Sequence, residues 1–111
     1  MNLDDLTLGQ LKQLQAIGGG ASERHPYKIG QNYLIRTVTM IYTGRLLEVY
    51  PQELVVEDAA WIAETDRWAD TCREGKVKEV EPYVKGDRVI IGRGSILDVS
   101  EWKTDLPGEQ I

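Results

Sequence analysis

The sequence predicts a mainly β protein: a short N-terminal helix, then a strongly bent five-stranded barrel carrying a helical insertion near residues 64–74. Three observations carry this expectation. Leu8, Leu11, Leu14 and Ile17 recur with the spacing of one helical stripe. From Asn32 onward the period shortens to two, and β-branched and aromatic residues become frequent. Glycine-containing breaks then cut the second half into short β-like pieces.

The helix is expected over residues 3–17. Thr7 and Gln10 have the spacing of a capping box, and Gly18-Gly19-Gly20 ends the helix. Residues 18–31 read as a linker, where Pro26 keeps His25 out of helical geometry. The barrel is expected over residues 32–102. Its first run, Asn32 to Tyr50, is long for one flat strand, and Gly44 marks a bulge or sharp bend within it. Tyr50-Pro51-Gln52-Glu53 makes a tight turn, and Leu54-Val55-Val56 resumes the sheet, followed by Ala59 to Ala63. Residues 60–86 form an insertion with a helix between Glu64 and Lys76, capped by Thr65 and stopped by Gly75. Short strands are expected at Val77–Val84, Arg88–Ile91 and Ser95–Val99, and residues 103–111 as a tail without periodicity.

Composition narrows the function. The chain has 111 residues, which suits a single domain over residues 1–111. With 41% hydrophobic and 28% charged residues it is neither disordered nor fibrous in type. Cys72 has no second cysteine to pair with, which suits a reducing compartment. One histidine and one cysteine exclude the usual zinc sites within one chain, so no metal and no cofactor is expected. No apolar run reaches the roughly 20 residues that span a bilayer, and no signal peptide is recognised, so the expectation is a cytoplasmic protein without a membrane partner.

Gly44-Arg45-Leu46-Leu47-Glu48-Val49, the turn, and Leu54-Val55-Val56-Glu57-Asp58-Ala59 resemble the first motif of the Sm-like (LSm) proteins. Val89-Ile90-Ile91-Gly92-Arg93-Gly94-Ser95-Ile96-Leu97-Asp98-Val99 resembles their second motif, an Arg-Gly pair between two apolar strands. The resemblance covers residues 3–17, 32–59 and 87–99. It implies a helix-capped, bent five-stranded antiparallel barrel of Sm-like or SH3-like form, and a ring-shaped homo-oligomer. The family's turn carries an Asp and an Asn that help hold an RNA base, whereas this turn reads Tyr50-Pro51-Gln52-Glu53. The chain also resembles small proteins of tailed phages and prophages, on Tyr33-Leu34-Ile35-Arg36-Thr37-Val38-Thr39 and Glu57-Asp58-Ala59-Ala60-Trp61. That implies a source, with a bacterial host's cytoplasm as location, and not an activity.

No nucleophile–base pair stands out, because His25 precedes a proline in a linker and Cys72 has no evident base beside it. Glu57 and Asp58, as neighbours on a strand, are expected on opposite faces; Asp66 and Asp70 share a helix face as solvated acids. Catalytic residues are therefore not expected. Gly92-Arg93-Gly94 combines backbone amides with a guanidinium, an arrangement suited to an anion. Arg36 and Arg45 would add phosphate contacts, and Trp102, just past the last strand, is the expected exposed aromatic for stacking. From Leu46 to Asp66 the six charged residues are all acids, which suits a basic partner and not duplex DNA. The leading expectation is a non-catalytic, oligomeric binding module taking a nucleotide or short single-stranded nucleic acid at subunit boundaries. Its rival is a structural or interaction protein, a virion-assembly component or an inhibitor of a host protein, acting through its acidic face. The subunit contact is expected where Ile96–Val99 pairs with Leu54–Val56 of a neighbour.

Overall fold

A computed structural model describes residues 24–111; the expected helix at 3–17 and the first part of the linker lie outside them. Six antiparallel strands form one sheet: β1 (Asn32–Thr37), β2 (Ile41–Val49), β3 (Glu53–Thr65), β4 (Val77–Pro82), β5 (Arg88–Gly92) and β6 (Ile96–Glu101). One helix, α1 (Trp68–Glu74), sits between β3 and β4, where the insertion was expected. The sheet order is β4-β3-β2-β1-β6, and β5 also pairs with β3. The mainly β expectation holds, with one strand more than foreseen. Among the described residues no ladder joins β5 to β6, and the sheet is not closed into a barrel. A single 3₁₀ turn, Arg93–Ser95, connects them.

The long run from Asn32 is two strands, not one. Its reversal at Val38–Met40 has no glycine, proline or asparagine to announce it. Thr37 makes the turn instead: its Oγ1 donates to the Met40 carbonyl at 2.9 Å and accepts the Met40 amide at 3.0 Å. Gly44 has the irregular position expected of it, since the β2–β3 register shifts between Thr43 and Arg45. A Cβ on Gly44 would lie 3.0 Å from both Cβ and Cγ2 of the fully buried Val56, so only glycine lets the two strands approach this closely.

β3 is shared along its length. Its first half, Glu53 to Glu57, pairs with β5, and its second half, Ala60 to Thr65, pairs with β4. Leu54, Val55 and Val56 are therefore buried inside the chain's own sheet, held by β2 on one side and β5 on the other. This corrects the expected subunit contact, because those residues have no edge to offer. Among the described residues the strands paired on one side only at any point are β4, β5 and β6.

Two cores result. β1 sends Tyr33 and Ile35 into the first, with Leu46, Leu54, Val56, Ala59 and Ile91, and Leu34 into the second. Adjacent strand residues point to opposite faces, so the two cores lie on either side of β1. The second core contains Ala60, Ile62, Val80 and Trp102, with Cys72, Val77 and Leu106 packed against it. The segment after β6 is thus docked and not a loose tail: the Trp102 indole donates to the Asp105 carbonyl at 2.9 Å, and the Ile111 amide to the Val80 carbonyl at 3.2 Å.

α1 stops as foreseen, with Gly75 in the left-handed region at φ 72° and its amide on the Thr71 carbonyl. Its start differs. Thr65 is the last residue of β3, and the buried Thr71 Oγ1 instead accepts the Asp66 amide and donates to the Lys76 carbonyl.

Candidate functional site

The three arginines expected to bind phosphate do not converge. Arg36, on β1, forms a two-pronged ion pair with Asp98 of β6, its Nε 2.9 Å from Oδ1, and its guanidinium lies 4.9 Å above the Trp68 ring. Strand pairing places these partners, for Arg36 and Asp98 are opposite one another in the β1–β6 ladder. The hydrogen bond to Arg36 holds the Asp98 carboxyl below its usual range.

Arg45, on β2, holds both Glu57 and Asp58, the latter at 2.8 Å. Strand alternation should separate those two acids, but Asp58 has φ 49°, the left-handed region, which cancels the alternation at that point. Aspartate tolerates this conformation better than most residues. The Asp58 carboxylate fixes it, accepting Arg45 through Oδ2 and the Gly86 amide through Oδ1 at 3.2 Å. The Arg45 hydrogen bond, then the Gly86 amide, lower its pKa. A cavity of about 390 Å³ opens beside this cluster, lined among others by Asn32, Arg45, Tyr83, Lys85 and Leu106. Asn32, Tyr83 and Lys85 carry no sequence signal of their own; the β1–β2 register sets Asn32 opposite Arg45, and the end of the β3–β4 ladder brings the Tyr83 amide onto the Ala59 carbonyl.

Gly92 ends β5, and Arg93 and Gly94 begin the 3₁₀ turn, which grips the β2–β3 turn. The Arg93 amide donates to the Gln52 carbonyl at 2.8 Å and its guanidinium to the Tyr50 carbonyl at 2.7 Å, 5.6 Å from the Tyr27 ring. The Gly92 carbonyl accepts the Ser95 hydroxyl, while space is open around Gly94. Arg93 also borders a second cavity of about 440 Å³, which runs along Ile96–Val99 of β6 with Tyr27 and Tyr33.

Trp102 corrects the stacking expectation. It is 4% exposed, because the segment that follows it folds back over the second core. The solvent-facing tryptophans are Trp61 and Trp68 instead. The acidic run from Leu46 to Asp66 is also less uniform than its sequence: Glu48 pairs with Arg88, and Glu57 and Asp58 with Arg45.

Comparison with known protein families, with characterised proteins and with solved structures finds no match for this chain. Among the described residues no three His, Cys, Asp or Glu side chains gather as a metal site would need, and no helix is long and apolar enough to cross a membrane.

Proposed function

We propose that this protein is a non-catalytic interaction module whose copies assemble through the open edges of β5 and β6. The observation that carries this reading is the groove along β6, where Ile96–Val99 lie beside a cavity of about 440 Å³. Among the described residues β6 pairs only with β1, and β5 only with β3, so within residues 24–111 each leaves one row of backbone groups without a ladder partner. Each open edge also carries a bare aliphatic side chain, Ile90 at 68% and Leu97 at 64% exposure. A β5 edge from one copy laid in the β6 groove of the next would satisfy both rows, and repetition head-to-tail closes a ring. The first core supports a bent, incompletely closed barrel of Sm-like or SH3-like form within each copy. Ile91 of β5 and Ile96 and Val99 of β6 meet the same cluster although these strands lie at opposite ends of the sheet path.

Light scattering after size exclusion tests the reading. Wild type at micromolar concentration should give a multiple of the 12.5 kDa chain mass. Ile90→Lys and Leu97→Lys, each placing a charge on an open edge, should each give the monomer with unchanged circular dichroism. A monomeric wild type overturns the proposal.

The nucleotide reading keeps one supporting observation, the Arg45–Lys85 cavity with Tyr83 on its wall. It is second because Arg36 and Arg45 already hold carboxylates of this chain. Thermal stabilisation of wild type by nucleotides or short oligonucleotides, lost in Lys85→Glu, would put it first.

A further inference from the structure

A third surface lies on the β3–β4 hairpin, away from the β5 and β6 edges. Here β3 alternates: Ala60 and Ile62 enter the second core, and Trp61 between them faces solvent. The register places Tyr42 of β2 opposite Trp61 on one side and Glu81 of β4 on the other, so the three form a row across the sheet. Tyr83, just beyond β4, stands 6.4 Å from Tyr42 between ring centres. Met40 completes the wall, its sulfur 3.3 Å from the Tyr42 hydroxyl. Met40, Trp61, Glu81, Pro82 and Tyr83 enclose an open cleft of about 190 Å³. Trp61 and Tyr83 are 38% and 39% exposed, large aromatic surfaces left in water.

The charges around this cleft select its occupant. Glu64 and Glu79 stand directly opposite each other across β3 and β4, and like charges in that position repel. Among the described residues neither makes an ion pair, and Glu81 holds only the Gln110 amide at 2.9 Å. The acids of the β2–β3 region differ, since Glu48, Glu57 and Asp58 are each held by an arginine of the chain. The hairpin therefore joins uncompensated negative charge to exposed aromatic faces. Both attract a cation, the carboxylate by charge and the ring faces by their quadrupole. An anion would be repelled there, and an apolar group would strip water from Glu81 without replacing its hydrogen bonds.

We propose that this cleft receives an arginine or lysine side chain from a basic segment of a partner protein. The cationic head lies over Trp61 and Tyr83 and donates to the Glu81 carboxylate, and further basic residues lie along Glu64 and Glu79. This surface is independent of the self-assembly edges, so either proposal can fail alone.

The test titrates the full chain with a short tetra-arginine peptide and follows the Trp61 indole N–H resonance, assigned by its loss in Trp61→Ala. The resonance should shift saturably, and the affinity should fall as salt rises. A peptide with citrulline in place of arginine keeps the shape without the charge and should bind at least about tenfold more weakly. Glu81→Gln should weaken the arginine peptide by a similar factor, while Trp68→Ala, outside the cleft, leaves it unchanged. Circular dichroism confirms that each variant is folded. Equal binding of the citrulline peptide, affinity unaffected by Glu81→Gln, or no shift of the Trp61 resonance overturns the proposal.

Discussion

The two cores of this small protein are built differently, though β1 and β3 serve both. The first is made of strand against strand: Tyr33, Ile35, Leu46, Leu54, Val56 and Ile91 come from β1, β2, β3 and β5. The second needs covering from outside the sheet, by Trp102 and Leu106 of the C-terminal segment and Cys72 of α1. A sheet that bends can bury one face on itself, as the first core does around Gly44 and Asp58. Its other face must find a lid, and here nine residues without periodicity supply the seal after Trp102.

The largest effect expected follows from that dependence. Trp102→Ala should cost about 3–5 kcal/mol, a large part of the roughly 5–15 kcal/mol typical of a domain. It should also make the chain after Glu101 sensitive to proteases, because the indole anchors that segment through the Asp105 carbonyl. Leu54→Ala in the first core should cost about 2–5 kcal/mol without that sensitivity. Urea denaturation with limited proteolysis separates the two. Equal protease resistance of both variants would break the contrast between a self-closed core and a lidded one.

Gly44→Val probes the close approach of β2 to β3. The added side chain meets Val56, which is fully buried and cannot withdraw. A loss of about 1–3 kcal/mol is expected, read as a lower urea midpoint. A midpoint equal to wild type would show that the strands approach less closely than 3.0 Å implies.

The smallest effect concerns pH. Arg45, then the Gly86 amide, lower the Asp58 pKa below its ordinary value of 3.8. The stability this ion pair contributes is therefore complete above that value and is lost as pH falls through it towards the lowered one. Asp58→Asn keeps a residue that tolerates φ 49° but removes the charge. Its stability should decline less steeply than wild type between about pH 5 and pH 2, measured by urea titration. Asp98, lowered by Arg36, retains its own share of the slope. Parallel profiles for the two proteins would assign the bulge to backbone preference alone.

Much of the first core was legible in the sequence because its causes are local. Alternating β-branched residues mark β1, β2 and the start of β3, Tyr50 to Glu53 turns, and Gly75 stops α1 by adopting a conformation other residues resist. The turn at Val38–Met40 was not legible, because a threonine hydroxyl makes it and threonine is equally at home inside a strand. The candidate sites were less legible still. Arg36, Arg45 and Arg93 look alike as isolated cations, and which carboxylate or carbonyl each meets depends on register between distant strands.

Residue type and spacing by themselves determined that the chain is mainly β and that a helix stopped by Gly75 interrupts its strands. Those properties depend on backbone preference and composition, which act over a few residues. Tertiary structure alone decided that Trp102 is buried and Trp61 exposed, that Leu54–Val56 are internal to the sheet, and that Glu57 and Asp58 meet one arginine. Each of these turns on the face a side chain takes. A single bulge or one returning segment reverses that face without changing the sequence pattern that precedes it.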